Sequence, residues 1–446
     1  MKIVIYSTNA NHFHGELNTL HLPSCAKRWE AFIKERKDIE IVIASHLPAS
    51  FLLDMDGITP LSSPVKSIII EESGAQKIAQ AIIAEKCDAA IALSAWARPF
   101  DWLSIQDAEV ASLLSAQGIK TIAMSYETAF LCFDKWHTHL ALEGANIPTP
   151  KAVYVHHNLF FCAGNKKEIR NNVYKEAVLE RIKALHYPVI IKDTVGLSSY
   201  GMEVVETFAE AQRFLESKRN SSDRIVEEFI AGTQFGAEIH GVENGKRRIL
   251  SPFLFSVNKY GITSPKQSIK IGPITADKYK TDELYAILEK TAALFDFKLI
   301  AQVDAVFDGD KWYIIEINPR ISGMSETYAA SMGISLYDMI MAAAGFEAGA
   351  QKQLKPTMNI KFPLLSLEDL TALSQKRSIA HISQTENKAA AQEREKGYCE
   401  VIFTADTFDE LKADLEDIKN SFPNLVEKEF IEKAKDMLVS YMQDLS

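Results

Sequence analysis

Two alternating runs of apolar and polar residues, joined by a short turn, constrain this chain more than any other feature. The runs are AQVDAVF at residues 301–307 and WYIIEIN at residues 312–318, and DGDK at 308–311 lies between them. A turn rich in Asp and Gly between two runs of strand formers is typical of an antiparallel hairpin. We therefore predict that both runs are neighbouring strands of one sheet.

The second run carries polar residues at every second position. Because side chains alternate along a strand, Glu316, Asn318 and Arg320 should lie on one face, while Ile315 and Ile317 lie on the other. Two structures produce this pattern. One is a solvated edge strand, and the other is a strand whose polar face is turned toward a bound ion or ligand.

The hairpin also predicts a pair of facing carboxylates. If the turn is centred near Asp310, Asp304 lies opposite Glu316 and Gln302 lies opposite Asn318. Like charges directly opposite each other destabilise a ladder, so such a pair usually has a compensating cation. Two carboxylates and an amide oxygen are hard ligands that suit Mg²⁺. A solvated strand pair remains the alternative on this pattern alone.

Composition limits the class of protein. The 446 residues carry a formal net charge of -10 and a sequence pI near 5.7, which argues against a broad surface for nucleic acid. The five cysteines form no CxxC pair, so we expect neither a disulfide nor a structural zinc. We find no signal-peptide pattern and no run of about 20 apolar residues. We therefore expect a cytoplasmic protein without membrane contact.

The order of helical and strand patterns predicts three regions. Strands such as KIVIYS and IEIVIAS alternate with helical segments up to about residue 125, which indicates a parallel α/β layer. Residues 126–346 are rich in strands and predict an α+β region with antiparallel sheets. Residues 347–446 predict a small C-terminal α/β cap. The first loop lacks a glycine-rich dinucleotide fingerprint, so a nicotinamide cofactor is not indicated.

A strand followed by a Gly- and Ser-rich loop is the first candidate for phosphate contact. In IIKDTVGLSSYGM, Lys192 ends an apolar strand and the loop carries Gly196, Ser198, Ser199 and Gly201. Glycine lets the backbone approach a ligand, and N–H and hydroxyl groups can donate to phosphate oxygens. A flexible hairpin loop with an exposed lysine would have the same sequence.

Two further candidates have equally simple structural explanations. Lys135 in FDKWH fits a solvated helical lysine as well as a ligand contact. Glu227 and Glu228 close the apolar run in IVEEFIAG, where carboxylates are commonly solvated. These residues become informative only through their order along the chain.

That order resembles the ATP-grasp superfamily of carboxylate ligases. The motifs are DK at 134–135, IPTP at 147–150, PVIIK with its loop at 188–201, VEEFIAG at 226–232, and VDAVF with EINPR at 304–320. The group contains D-alanine:D-alanine ligases, biotin carboxylases and bacterial L-amino-acid ligases. The resemblance covers about residues 118–346 by motif and implies an N-terminal Rossmann-like pre-ATP-grasp domain, an ATP-grasp domain and a C-terminal cap.

The resemblance also implies roles for the nucleotide-binding residues. Lys135 and Lys192 match the lysines that contact ATP phosphates, and the loop from Gly196 to Gly201 matches the flap that closes over them. The residues that match the adenine-reading linker are Glu227, Glu228, Phe229 and Ile230. Glu238 matches an acidic position later in the same segment.

The hairpin residues match the catalytic end of the family motif. Asp304, Glu316 and Asn318 match ligands of Mg²⁺, with two ions expected and Mn²⁺ as an alternative metal, and Arg320 matches the arginine that steadies the reacting groups. The implied activity joins a carboxylate to an amine through an acyl phosphate, with release of ADP and phosphate. The alternatives are biotin carboxylase-like activation of bicarbonate and a non-catalytic ATP-binding regulator.

This chain departs from the family pattern at two positions. Gln234 stands where a ribose-binding Glu is common, and Gln302 stands where D-alanine:D-alanine ligases have Arg. A lysine that reaches the γ-phosphate is open among Lys259, Lys266 and Lys270. The expected partners are a small-molecule carboxylate and an amine, and a homodimer is the default assembly.

Overall fold

The computed structural model describes most of the chain. The described residues are 1–8, 17–45, 52–55, 59–72, 74–94, 103–162, 171–196, 202–241, 247–261, 268–346, 353–387, 396–422 and 428–445. The strands are β1 Lys2–Ser7, β2 Leu17–Leu22, β3 Glu40–Ser45, β4 Lys66–Ile69, β5 Ala89–Ala92, β6 Lys120–Ile122, β7 Ala152–Val155, β8 Val189–Asp193, β9 Glu203–Val205, β10 Arg224–Glu228, β11 Thr233–Gly241, β12 Arg247–Ile249, β13 Phe253–Phe255, β14 Ser268–Gly272, β15 Ile300–Phe307, β16 Trp312–Asn318, β17 Thr357–Phe362, β18 Ile379–Asn387 and β19 Gly397–Thr404.

Helices cover the sheets and connect them. They are α1 Cys25–Glu35, α2 Ala75–Ala84, α3 Leu103–Ser115, α4 Tyr126–Phe133, α5 Lys135–Gly144, α6 His157–Phe160, α7 Val173–Lys183, α8 Phe208–Leu215, α9 Thr281–Phe295, α10 Ser325–Met332, α11 Leu336–Ala343, α12 Leu367–Ser374, α13 Phe408–Ser421 and α14 Lys428–Asp444. None of the helices in the described ranges is both long enough and apolar enough to cross a bilayer.

The N-terminal region forms a parallel sheet in the order β4-β3-β1-β5-β6. The central strands are apolar runs because both faces are covered: Ile3 and Ile5 pack in one hydrophobic cluster, and Val4 and Tyr6 pack in another. Helix α1 begins at the Ser24 cap, whose side chain accepts a hydrogen bond from the Lys27 N–H. The predicted parallel layer is therefore confirmed.

A small antiparallel sheet follows in the order β7-β10-β8-β9. Its inner face carries Val153, Val189 and Ile191, which pack in one cluster with Val178 and Ile182 of α7. Alternation turns the other face of β8 and β10 away from this cluster. That face carries Lys192.

A large sheet joins the centre of the chain to its C-terminal part. Its order is β16-β15-β11-β13-β14-β17-β19-β18-β2, and β12 pairs with β11 at one side. The pairing of β14 with β17 continues the sheet across the predicted boundary at residue 346, and β2 adds an N-terminal strand beside β18. The three predicted domain ranges stay a prediction, but one sheet runs through all of them. The antiparallel sheets confirm the predicted fold class.

The predicted hairpin of residues 301–318 forms with one irregularity. Asp304 pairs with Glu316, as predicted, but the register then shifts, so that Ala305 pairs with Ile314. Ile315 is the extra residue of this bulge. The expectation that Ile315 shares a face with Ile317 is wrong, because Ile314 and Ile317 pair with Ala305 and Val303 and pack in the core, whereas Ile315 lies in the bulge outside that core.

Candidate active site

A cavity opens where the hairpin meets α5 and the small sheet. The space between its lining side chains, including the part open to solvent, is about 580 Å³. The lining residues are Ser104, Cys132, Phe133, Lys135, Thr138, His139, Leu142, Thr149, Gly196, Glu227, Ile315, Glu316, Ile317, Asn318 and Pro319. Residues that are far apart in sequence therefore share one wall, and several of them were predicted as site residues.

Lys135 reaches the cavity from the first turn of α5. The helix begins at Asp134, whose side chain accepts hydrogen bonds from the next two backbone N–H groups. The Lys135 backbone N–H donates to the carbonyl of Thr194 over 2.8 Å, which fixes the helix against the loop after β8. The Lys135 ammonium donates to the carbonyl of Gly196 over 2.9 Å and lies 3.3 Å from a Glu316 oxygen.

Lys192 and Glu227 form a buried ion pair on neighbouring strands. Lys192 pairs with Ile225 in the β8–β10 ladder, two positions from Glu227. The ammonium lies 2.6 Å from a Glu227 oxygen, and only 10% and 8% of the two side chains are exposed. A charge-assisted contact of this length holds the lysine rigidly in a dry environment.

The Glu228 side chain lies on the opposite face of β10 from Glu227. Adjacent strand residues face opposite sides, and the Glu228 carboxylate accepts hydrogen bonds from the backbone N–H and the ring of His186. The Phe229 backbone N–H donates to the Pro188 carbonyl over 3.0 Å. Of the four residues matched to the adenine linker, the structure puts only Glu227 in the wall of the cavity. The adenine-reading role of Phe229 and Ile230 stays a prediction.

Asp304 faces Glu316 across the hairpin at the bulge. The Gln302 side-chain amide donates a hydrogen bond to Asp304, and the Asn318 side-chain amide donates to the Gln302 Oε1 over 2.8 Å. These two hydrogen bonds orient the side-chain amides of Gln302 and Asn318. Burial, followed by repulsion from Glu316, raises the pKa of Asp304 to about 7.

Cations surround Glu316. Burial raises the pKa of Glu316, but attraction to Lys135, Lys192 and Arg320 outweighs that effect and lowers the pKa overall. The Arg320 guanidinium donates to the Asn318 side-chain oxygen over 3.2 Å and to the Ile321 carbonyl. The structure therefore brings three predicted cationic residues around one predicted metal ligand.

The donor set fits a divalent cation that keeps water or phosphate ligands. In the described ranges, no three His, Cys, Asp or Glu side chains converge on one point to hold an ion by themselves. Asp304 and Glu316 supply two carboxylates that repel each other, and the Asn318 oxygen lies beside them. Mg²⁺ is commonly bound by one or two carboxylates with phosphate and water completing the shell, so these residues fit it.

Glu238 lies outside the cavity wall. It is fully buried on β11, where one oxygen accepts hydrogen bonds from Ser325 and Ser322 and the other lies 2.9 Å from the His240 ring. These contacts hold the start of α10, which follows Arg320 in the chain. The predicted contact of Glu238 with nucleotide stays a prediction. In the structure, the Glu238 carboxylate contacts Ser322, Ser325 and His240.

The structure separates the candidate lysines. Lys270 lies on β14, and burial lowers its pKa while Asp304 and Glu400 act on it electrostatically. Lys259 instead sits 4.4 Å from the Tyr260 ring centroid. Lys266 lies outside the described residues, as do Ser198, Ser199 and Gly201. Of the two described candidates for the γ-phosphate lysine, Lys270 is therefore the one that faces the hairpin carboxylates.

Several residues of the cavity wall were not predicted from the sequence. His139 is buried, its Nδ1 has no hydrogen-bond partner in the described structure, and its ring stacks on Trp136 at a centroid distance of 5.2 Å. Burial lowers the pKa of His139. Ser104 comes from α3 of the N-terminal region. Both lie in helical patterns, where no local signal distinguishes a cavity residue from a core residue.

Residues 132–324 match the family described as "ATP-grasp domain". The chain carries an ATP-grasp domain. The resemblance found in the sequence is confirmed, and the site described above lies largely within the ATP-grasp domain. The match begins just before Lys135 and ends after Arg320.

Relatives of the ATP-grasp domain have several functions. The carbamoyl phosphate synthase large chain of Clostridium acetobutylicum is 24% identical over 217 residues, which cover 48% of this chain and 18% of that protein. The D-alanine–D-alanine ligase of Buchnera aphidicola subsp. Schizaphis graminum is 25% identical over 248 residues, 53% of this chain and 76% of that protein. The chain therefore spans less than a fifth of the synthase it matches.

Solved structures share the fold of the whole chain. N5-carboxyaminoimidazole synthetase from Staphylococcus aureus, complexed with ADP, aligns with a TM-score of 0.63 at 14% identity, covering 93% of this chain and 96% of that one. L-amino acid ligase from Bacillus licheniformis aligns with a TM-score of 0.62 at 14% identity, covering 94% and 97%. At this identity the likeness establishes the fold alone.

Proposed function

We propose that this protein is an ATP-dependent ligase that joins a small carboxylic acid to an amine and releases ADP and phosphate. The observation that carries the proposal is the convergence of Lys135, Lys192 and Arg320 on Glu316, directly across the hairpin from Asp304. An anionic acid and a triphosphate repel each other, and this group of charges offsets that repulsion. The ligase names of the relatives support the same reading.

In the first step, an oxygen of the acid attacks the γ-phosphorus of ATP. The bond from that phosphorus to the oxygen bridging the β-phosphate breaks, and ADP leaves. Lys135 and Lys192 stabilise the phosphate charge, since one ammonium is fixed by Gly196 and the other by Glu227. Arg320 is fixed beside Asn318, where it can neutralise the charge that develops on the acid.

In the second step, the amine attacks the acyl carbon of the acyl phosphate. A carbon–nitrogen bond forms, the carbon–oxygen bond to phosphate breaks, and inorganic phosphate leaves with the proton that the nitrogen gives up. Asp304, Glu316 and Asn318 are the residues proposed to hold Mg²⁺, with two ions expected and Mn²⁺ as an alternative. When bound, the metal neutralises phosphate charge and orients the γ-phosphoryl group.

The test is substrate-stimulated release of ADP and phosphate. The protein is incubated with ATP and Mg²⁺ and a panel of carboxylic acids, with and without amines, and with bicarbonate as a separate acid. Stimulation by an acid together with an amine supports ligation. Stimulation by bicarbonate would favour the bicarbonate-activating alternative. ATP binding without stimulated turnover would overturn the ligase proposal in favour of a regulator.

A further inference from the structure

A second group of charged side chains lies on the large sheet, outside the cavity described above. Lys361 on β17 pairs with Glu400 on β19, and Lys270 on β14 pairs with Asn359 on β17. Directly paired residues point to the same face of a sheet. The opposite face carries Ile269, Ile360 and Val401, which pack in the hydrophobic core.

The charged face continues the metal-ligand face of the hairpin. Asp304 and Glu400 both act electrostatically on Lys270, so the Lys270 ammonium lies between the hairpin and the C-terminal strands. The side chains of Lys361 and Glu400 are 18% and 17% exposed, so solvent reaches them although they are mostly covered. A substrate could therefore extend from the hairpin carboxylates onto the C-terminal strands.

The lysine ammonium groups of this cluster make no close ion pair or hydrogen bond with the other members. The Lys361 ammonium lies over the Tyr398 ring, 3.7 Å from its centroid, and 3.9 Å from a Glu400 oxygen, which is longer than a hydrogen bond. Within the described ranges, the Lys270 ammonium has no ion-pair or hydrogen-bond partner; its nearest aromatic ring is Phe255, at 5.7 Å from the centroid. Asp304 and Glu400 act on this covered ammonium only from a distance, so an anionic group of a ligand in direct contact would stabilise it further.

An unpartnered amide oxygen lies beside Lys270. Asn359 is 1% exposed, its amide nitrogen donates to Thr327 over 2.7 Å, and its side-chain oxygen has no partner in the described structure. Buried acceptors of this kind are rare and usually receive a donor from water or ligand. Asn359 and Glu400 therefore offer acceptors, while Lys361 and Lys270 offer donors.

Gly323 leaves room between these groups. A Cβ atom built at this position would lie 3.8 Å from both the Glu400 Oε1 and the Lys270 Nζ. Two oppositely charged groups thus border the space that a side chain would enter. Glycine at position 323 therefore leaves this space free of a side chain.

We propose that Lys361, Glu400 and Asn359 form the subsite for the amine substrate, and that this substrate is an α-amino acid. Its nitrogen is held by the Glu400 carboxylate and the Asn359 oxygen, and its carboxylate is held by Lys361. Lys270 remains for the acid that is activated beside Asp304 and Arg320. The inference rests on the proposed ligase activity and names its second substrate.

The decisive experiment compares amino acids with the amines that lack their carboxylate. Phosphate release by Lys361→Met and wild type is measured with alanine against ethylamine and phenylalanine against phenethylamine, at saturating acid, ATP and Mg²⁺. We expect the KM for the amino acids to rise about tenfold or more in Lys361→Met, while the KM values for ATP and for the plain amines stay unchanged. Lys376→Met, which removes a partly exposed lysine paired with Asp417 in the C-terminal region, is the matched control.

A second variant and a binding measurement separate the two proposals. Gly323→Ala adds only ordinary van der Waals contacts, so it should fold and should raise the amino-acid KM. Calorimetric titration of amino acids in the presence of a non-hydrolysable ATP analogue should show binding by wild type and weaker binding by Lys361→Met. Wild-type turnover with equal effects on amino acids and plain amines would overturn the subsite alone. Amino-acid binding without any turnover would overturn the ligase activity but support the subsite.

Discussion

The Lys192 ammonium lies 2.6 Å from the Glu227 carboxylate, and each side chain is exposed by a tenth or less. Two charges removed from water depend on each other, because either one alone would be buried and uncompensated. The pair also leaves its positive end close enough to act on Glu316. One contact therefore contributes both to the stability of the small sheet and to the charge of the cavity.

Replacing Lys192 with Met should destabilise the protein as well as impair nucleotide binding. We expect the free energy of unfolding to fall by about 3 kcal/mol, because Glu227 would remain buried without its partner. Denaturant unfolding measures the change. Lys175→Met, which breaks a partly exposed pair with Glu216, should cost less than about 1 kcal/mol. If the double variant Lys192→Met, Glu227→Met loses as much stability as the two single changes added together, the coupling is absent.

Replacing Glu316 with Gln should lower both the activity and the stability of the protein. The change removes a proposed metal ligand, so Mg²⁺-dependent turnover should fall by about a hundredfold or more. It removes the repulsion from Asp304, but it also removes the attraction to Lys135, Lys192 and Arg320 that keeps the pKa of Glu316 low, so the free energy of unfolding should fall. Phosphate release and denaturant unfolding give the two readouts. Glu283→Gln, on the exposed side of α9, is the control, and unchanged turnover in the Glu316 variant would remove the metal assignment.

Replacing Arg320 with Ala should harm the chemical step more than nucleotide binding. The guanidinium is held by Asn318 and the Ile321 carbonyl beside the hairpin carboxylates, which is the proposed position of the reacting acid. We expect kcat to fall by about a hundredfold while the KM for ATP changes by less than about threefold. Steady-state kinetics with varied ATP distinguish these effects. A rise in the KM for ATP with kcat intact would contradict this role.

The sequence predicted those parts of the site that depend on local pattern. The length of the turn and the alternation of the strands were sufficient to pair Asp304 with Glu316 and Gln302 with Asn318. The bulge was not predictable, because Ile314 and Ile315 are equally apolar and only packing decides which of them enters the core.

Other parts depended on contacts between distant residues. Strand β2 pairs with β18, more than 350 positions away, and no local pattern in Leu17–Leu22 indicates that partner. By contrast, a usable signal existed for Lys270, since buried Ile269 and Ile271 flank it and alternation places it on the opposite face. The same alternation predicts that Glu227 and Glu228 lie on opposite faces of β10.

The raised pKa of Asp304 predicts a stability that depends on both pH and metal. Because its folded pKa of about 7 exceeds the ordinary value of 3.8, the folded state binds a proton more tightly than the unfolded state. Without divalent metal, the free energy of unfolding should therefore decrease as pH rises from about 4 to about 7. Mg²⁺ competes with that proton, so its stabilising effect should be larger at pH 8 than at pH 6. Unfolding curves with EDTA or Mg²⁺ test both trends. Asp304→Asn should lose this part of the pH dependence and the response to Mg²⁺, and a variant that keeps both would contradict the assignment.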